Sequence, residues 1–197
     1  MNAPDPTIPS REPRPMRPHL SNAVIGVILL VVMEILLFSG LISAHIAFMA
    51  DQVGEVWPPL DQPRLPFGET ATNTAVLVLS GIILALCSLQ FRVEPRRALI
   101  LLGTSTLLGG FFVAFQGVEW LGLVQEGLSV RSGSYGAFFY LIVGLHMLNA
   151  LVALGFLAWA WGRLRRGVLS DTQFKAVRIF WYFVVLVWPV IYFQVYQ

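Results

Sequence analysis

Five long apolar runs divide this chain, and each is long enough to cross a lipid bilayer. A transmembrane helix needs about 20 mostly apolar residues, and the runs cover approximately 22–49, 73–91, 98–121, 136–161 and 176–196. The bilayer core offers backbone N–H and C=O groups no water, so such segments satisfy their hydrogen bonds internally, as helices. The expected fold class is therefore all-α: a polytopic membrane bundle of five transmembrane helices over residues 22–197. Charged residues make up 12% of the chain, against about 25% in a soluble domain, which is too few to clothe a water-facing surface. The first run far exceeds the roughly 7–15 apolar residues of a signal-peptide core and reads as a span. Residues 1–21 hold half of the 12 prolines and no apolar run, so an extended or disordered tail is expected there.

Orientation follows from the basic residues. The tail carries Arg11, Arg14 and Arg17; the second connection carries Arg92, Arg96 and Arg97; the fourth carries Arg163, Arg165, Arg166, Lys175 and Arg178. Only Arg64 and Arg131 lie on the other side, so eleven of the 13 basic residues share one face of a five-span alternation. By the positive-inside rule that face is cytoplasmic, with the N-terminus inside and the C-terminus outside.

The first outer connection, about Ala50–Thr72, is the longest; it is acidic and punctuated by Pro58, Pro59, Pro63 and Pro66. The turn FRVEPRRAL is short enough to make its flanking helices antiparallel neighbours, and Gly127, Gly133 and Ser134 predict an irregular second outer loop. Trp57, Trp120, Trp161, Tyr135 and Tyr196 fall near span ends, where an aromatic belt sits. Ser39/Ser43 and Gly40/Ala44 have the spacing of a close helix-packing face. Pro189 interrupts the hydrogen-bond ladder of the last span and predicts a kink. Cys87 is the single cysteine, so there is no disulfide framework.

Ionisable groups deep in a bilayer are costly and point to function by default. Glu34 lies near the middle of the first span and His146 near the middle of the fourth, with Asn149 one turn on from His146. One reading is a proton-handling or lipid-facing control site. The other, weighted more heavily, is an interhelical hydrogen bond from Glu34, with His146 as the first candidate partner and Asn149 as the second, because interior polar groups pair where they can. Gln116 and Glu119 share a face near the outer end of the third span, placed to bond a neighbouring helix or the loop backbone. His45 is expected at the outer interface, within reach of water.

The three histidines lie in different segments, and CxxC, CxxCH, HExxH and phosphate-loop motifs do not occur. A closed metal site takes four ligands and haem at least one well-placed axial residue, so no metal site, catalytic residue or bound redox cofactor is expected. The arginine clusters are accounted for by topology, so no nucleic-acid partner is expected either.

Several segments resemble cytochrome c oxidase subunit III. IGVILLVVMEILLFSGLISAHIAF is similar to that family's third helix, with its buried glutamate at Glu34. VWPP followed by TNTAVLVLSG resembles the next loop and helix. GGFFVAFQGVEW resembles the fifth helix, ending in Gln116, Glu119 and Trp120. GSYGAFFYLIVGLHMLNALVALG resembles the sixth, with Tyr135, Gly136, Phe138, Phe139, Gly144 and His146 in place, and FWYFVVLVWPVIYF resembles the seventh. The blocks run in order through nearly all of residues 22–197. Helices corresponding to the family's first two are absent, as in its five-helix form. Asn149 stands where the sixth helix usually has a second histidine, and Tyr182, Phe183, Val184 and Val185 stand where the seventh reads His-Phe-Val-Asp.

The resemblance implies an accessory subunit of a haem-copper terminal oxidase in the bacterial inner membrane. Its partners would be the catalytic subunit I and other respiratory-complex subunits, and haem and copper would reside in those subunits. Phospholipid would sit between its helices, and its role would be to stabilise the complex and support proton uptake. Glu34, a carboxyl group in apolar surroundings, is the candidate for modification by a hydrophobic carbodiimide. The alternatives are a subunit-III-like protein of a quinol oxidase or nitric oxide reductase cluster, and a small proton-coupled transporter. The last would need a water path and discontinuous helices or repeats, and the sequence has no repeat.

Overall fold

A computed structural model of the chain, describing residues 21–51, 63, 65 and 67–196, consists of five α-helices, with no strand among the described residues. They are α1 (Asn22–Asp51), α2 (Phe67–Gln90), α3 (Pro95–Gln125), α4 (Ser134–Arg165) and α5 (Asp171–Val195). All five are long and apolar enough to cross a membrane, and the chain is a multi-pass membrane protein. The expected tail (residues 1–20), Trp57 and the WPP segment lie outside the described residues.

The helices overrun the apolar runs, because a span continues into the headgroup layer once its polar ends are capped. α3 begins with Pro95, whose missing N–H costs nothing in the first turn. α5 begins at a capping box: Ser170 Oγ accepts from Gln173 N at 3.3 Å, and Gln173 Oε1 accepts from Ser170 N at 3.2 Å. α3 and α4 each stop at a glycine in the left-handed region, Gly127 (φ 97°) and Gly167 (φ 69°). There Leu128 N bonds Leu123 O and Val168 N bonds Arg163 O, closing the last turn of each helix. The largest correction is at α2. Residues 67–72, expected in the outer connection, are helical, and their polar content is absorbed by turning Thr70 and, just beyond them, Asn73 inward, both buried.

Four helices close a ring: α2 packs on α3, α3 on α4, α4 on α5, and α5 back on α2. The FRVEPRRAL turn does make α2 and α3 antiparallel neighbours. α1 lies outside the ring, against α5 and along a narrower line α4. Its buried residues Val24, Phe38 and His45, with half-buried Val31 between them, recur at a seven-residue spacing. Half-buried Val27, Glu34, Leu41 and Phe48 form the second line of the same heptad seam. This is the left-handed, coiled-coil type of docking, and it leaves the rest of α1 exposed. Ser39, Gly40, Ser43 and Ala44 fall on that exposed side, so the small-residue pattern does not pack within the chain as expected.

Lipid tails are as apolar as the side chains, so burial alone does not hold these helices together, and close packing and interhelical hydrogen bonds do. Trp181 of α5 supplies both. Its indole Nε1 donates to Ser80 Oγ of α2 at 3.1 Å, and Ser80 and Ser105 of α3 each donate to the other's backbone carbonyl at 2.9 Å. The far edge of the ring rests on Gly109, where a Cβ would lie 2.5 Å from Cη2.

At one end of the bundle the α2–α3 and α4–α5 turns gather the arginines, and Arg92 and Asp171 form a two-bond ion pair there. The hydrogen bond to Asp171 holds the exposed Arg92 guanidinium above its ordinary pKa. The opposite end carries Asp51, Glu69, Glu119 and Glu126. These are called the basic end and the acidic end below. The aromatic residues near span ends divide: Trp161 stays exposed near the basic end, donating to Leu99 O at 3.2 Å. Tyr135 and Tyr196 are instead buried among the helices, where the Tyr196 hydroxyl accepts from Gln116.

Gly109→Ala is expected to destabilise the bundle by about 1–3 kcal/mol through overpacking against Trp181. The adjacent Gly110→Ala, with nothing within 4 Å of the new Cβ, should be neutral or stabilise by up to about 1 kcal/mol through helix propensity. Unfolding midpoints of the two variants in mild detergent check the contrast.

Candidate functional site

Two groups of buried polar side chains lie apart from the Trp181 clamp. The first is near mid-span, where α1 meets α4. Asn149 Nδ2 donates to Glu34 Oε2 at 2.9 Å. Glu34 sits on the heptad seam of α1, half-buried, and Asn149 is 8% exposed. His146, expected as the partner of Glu34, does not take that place. It is fully buried, and rings enclose it: Trp188 of α5 stacks at 4.9 Å, with Phe38 of α1 and Phe112 of α3 edge-on at 6.2 and 6.4 Å. Neither ring nitrogen has a partner among the described residues. The two residues share a depth, but the α4 face that meets α1 here carries Asn149, while His146 turns into the ring of four helices.

On the basic side of this bond, α1 leaves a gap against α4 and α5. A cavity of about 350 Å³ opens between them, lined by Gly26, Val27 and Leu30 of α1, Phe156 and Trp159 of α4, and Phe180 of α5, with Gln173 among its few polar contributors. Leu30 is one turn from Glu34, so the carboxyl group stands just past the inner end of an apolar groove. Beside the groove's Trp159, the Arg163 guanidinium lies over the indole at 5.2 Å.

The second group is at the acidic end. Thr70 Oγ1 of α2 lies 3.0 and 3.2 Å from the two carboxylate oxygens of Glu119 on α3. Gln116 Nε2 donates to Glu119 Oε2 at 2.7 Å and to the Tyr196 hydroxyl at 3.1 Å. Gln116 and Glu119 thus tie α3 to α2 and to the end of α5. Thr70 and Tyr196 gave no warning in the sequence as partners, although Thr70 and Asn73, three residues apart at the head of a span, mark a polar face. Glu119 also lines a cavity of about 340 Å³ with Glu69 and Glu126. His45, expected at the interface, is 2% exposed and packs on Phe138 at 5.3 Å. The end of α5 covers it, with its ring hydrogen-bonded to the backbone of Gln194.

The family model for cytochrome c oxidase subunit III matches residues 20–197. A protein of Nocardia farcinica named as a probable cytochrome c oxidase subunit 3 is 31% identical over 192 residues, covering 91% of this chain and 89% of that protein. The chain belongs to the cytochrome c oxidase subunit III family. The subunit 3 proteins of Polypterus ornatipinnis (31% identical) and Allomyces macrogynus (28%) match 87% of this chain. The chain spans 67% and 65% of their respective lengths. Membership makes it an accessory, non-catalytic subunit III of a haem-copper oxidase, with other oxidase subunits as its partners. Haem or copper would need a converging ligand set. Among the described residues no three His, Cys, Asp or Glu side chains are grouped to hold a metal, and His146 faces rings.

A double-mutant cycle distinguishes the two pairings of Glu34. Glu34→Leu combined with Asn149→Leu should show a coupling of about 0.6–1.7 kcal/mol, the range of interhelical hydrogen bonds in membrane proteins. The Glu34→Leu and His146→Leu cycle should show none. Unfolding free energies in mixed micelles supply all the corners.

Proposed function

We propose that this chain stands beside the catalytic subunit I of a terminal oxidase in a bacterial inner membrane, where it holds phospholipid and helps sustain proton uptake. The observation that carries this reading is the apolar groove between α1, α4 and α5, with the Glu34–Asn149 bond just beyond its inner end. An acyl chain suits the groove, and the Arg163–Trp159 pair lies where a headgroup phosphate would meet the interface. The arrangement of charge supports an orientation with the N-terminus and basic end in the cytoplasm and the C-terminus outside. Lipid in the groove would bridge α1 to the rest of the bundle, where direct packing is thinnest. Glu34 then fixes the angle at which α1 leaves α4. An ionised carboxylate at mid-bilayer costs on the order of 2.5–3.5 kcal/mol on insertion scales, so the bond from Asn149 is worth keeping at this depth.

The oxidase purified through a tag on this chain should carry haem absorbance and retained phospholipid. Glu34→Gln keeps an acceptor for Asn149 and should leave assembly and the initial rate near wild type. Glu34→Leu leaves Asn149 unpaired, at a cost of about 1–3 kcal/mol, and should reduce retained lipid and shorten the active lifetime of the complex. A chain that purifies without haem defeats the assignment to an assembled oxidase. A large fall in initial rate for Glu34→Gln in a fully assembled complex would make the carboxyl a proton carrier instead.

Topology is tested separately. Reporters fused after Gln197 should be active outside the cytoplasm, and those placed in the FRVEPRRAL turn active inside.

A further inference from the structure

A run of buried polar groups leads from the acidic end of the bundle toward its middle, and its inner members each keep at least one atom without a protein partner. It starts at Glu119, on the wall of the cavity shared with Glu69 and Glu126. Gln116, one turn inward, is 0% exposed; its Nε2 serves Glu119 and Tyr196, and its Oε1 has no partner. Asn73 of α2, 1% exposed, donates to the carbonyl of Phe112 at 3.1 Å, and its Oδ1 has none. His146, 0% exposed, has neither nitrogen paired. Four of the seven buried side-chain N or O atoms without a partner among the described residues belong to these three side chains.

The three meet around one residue. Asn73 bonds the Phe112 carbonyl, His146 lies against the Phe112 ring, and Gln116 follows Phe112 by one helical turn. Trp188, stacked on His146, is followed by Pro189, which has no N–H, so the carbonyl of Val185 loses its usual helical donor. Together these groups present two amide oxygens and an imidazole that offers one donor and one acceptor when neutral. That is a surplus of acceptors, and water is the small species that donates twice and accepts as well. Buried waters in proteins are found where otherwise unsatisfied polar groups converge, and waters re-satisfy backbone freed by proline in membrane helices. The two ring nitrogens lie on different edges of the imidazole, so one water cannot serve both.

We propose that this seam between α2, α3, α4 and α5 is a binding site for a short chain of water molecules. These waters bridge His146, Asn73 and Gln116 and join them through Glu119 to the cavity at the acidic end. His146 then exchanges protons with the aqueous phase on that side, although rings alone enclose it. The ionisable groups facing the seam are Glu119 on α3, Tyr196 at the C-cap of α5 and, beside Tyr196, Tyr135 of α4. On the α1 side, Glu34 lies one turn from Phe38, the residue that touches His146. The inference rests on the packing of this chain and does not depend on the lipid groove.

Exchange of the histidine C2–H for deuterium, read by mass spectrometry, reports water access to each imidazole. The test uses the full chain in the membrane complex from which it purifies, with the denatured chain as the reference for free exchange. His146 should exchange measurably in the folded wild type. Gln116→Leu, which removes a rung of the seam, should slow it several-fold, while Ser80→Ala, in the separate Trp181 clamp, should leave it unchanged. No exchange at His146 in the folded wild type overturns the proposal, whatever the variants do. So does an equal rate in wild type and a folded Gln116→Leu variant.

Discussion

Trp181 shows what holds a structure of this kind together. Between two helices in lipid there is no gain from hiding apolar surface, so cohesion has to come from contacts that lipid cannot imitate. One indole provides two of them, a flat edge seated on the bare backbone of Gly109 and an N–H given to Ser80, which is itself locked to Ser105. Three helices are fixed to one another at that point. The remaining interior follows the same rule with other parts, as where the Trp188 indole donates to Thr74 at 2.8 Å and the Tyr192 hydroxyl to the Phe67 carbonyl at 2.9 Å.

α1 is held differently, and the difference bears on function. Its heptad seam reaches α5 and α4 but neither α2 nor α3, and most of its surface remains exposed. The Glu34–Asn149 bond is the polar contact that joins it to α4 near mid-span. A carboxyl group at that position combines a local energetic cost with a defined geometry. This combination suits an accessory subunit of an oxidase, whose first helix must keep a fixed place beside the others.

The acidic end applies the same chemistry to a buried network. Glu119 is held by a hydroxyl, an amide and, through that amide, a phenol, so a carboxyl group at a helix end becomes a junction of three helices. Cross-helix networks of this sort specify one arrangement of helices that are otherwise interchangeable apolar rods. The same economy explains why Tyr135 and Tyr196, which sit where interfacial tyrosines belong, are drawn inward.

The sequence by itself determined the five spans, their order, the gathering of arginine at one end and the resemblance carried by Glu34, Gln116, Glu119 and His146. These features follow from hydropathy, charge and local motif, each of which acts within a short stretch of chain. Only the tertiary structure decided which groups meet. Depth along a helix could be read from residue number, and it matched Glu34 with His146. The azimuth of each helix could not, because a span with apolar residues on every side carries little information about which side faces its neighbours. Packing against Phe38, Phe112 and Trp188 turned His146 inward and left Asn149 facing α1. The same rotational choice took Ser39, Gly40, Ser43 and Ala44 to the surface, buried His45, and brought Thr70 to Glu119.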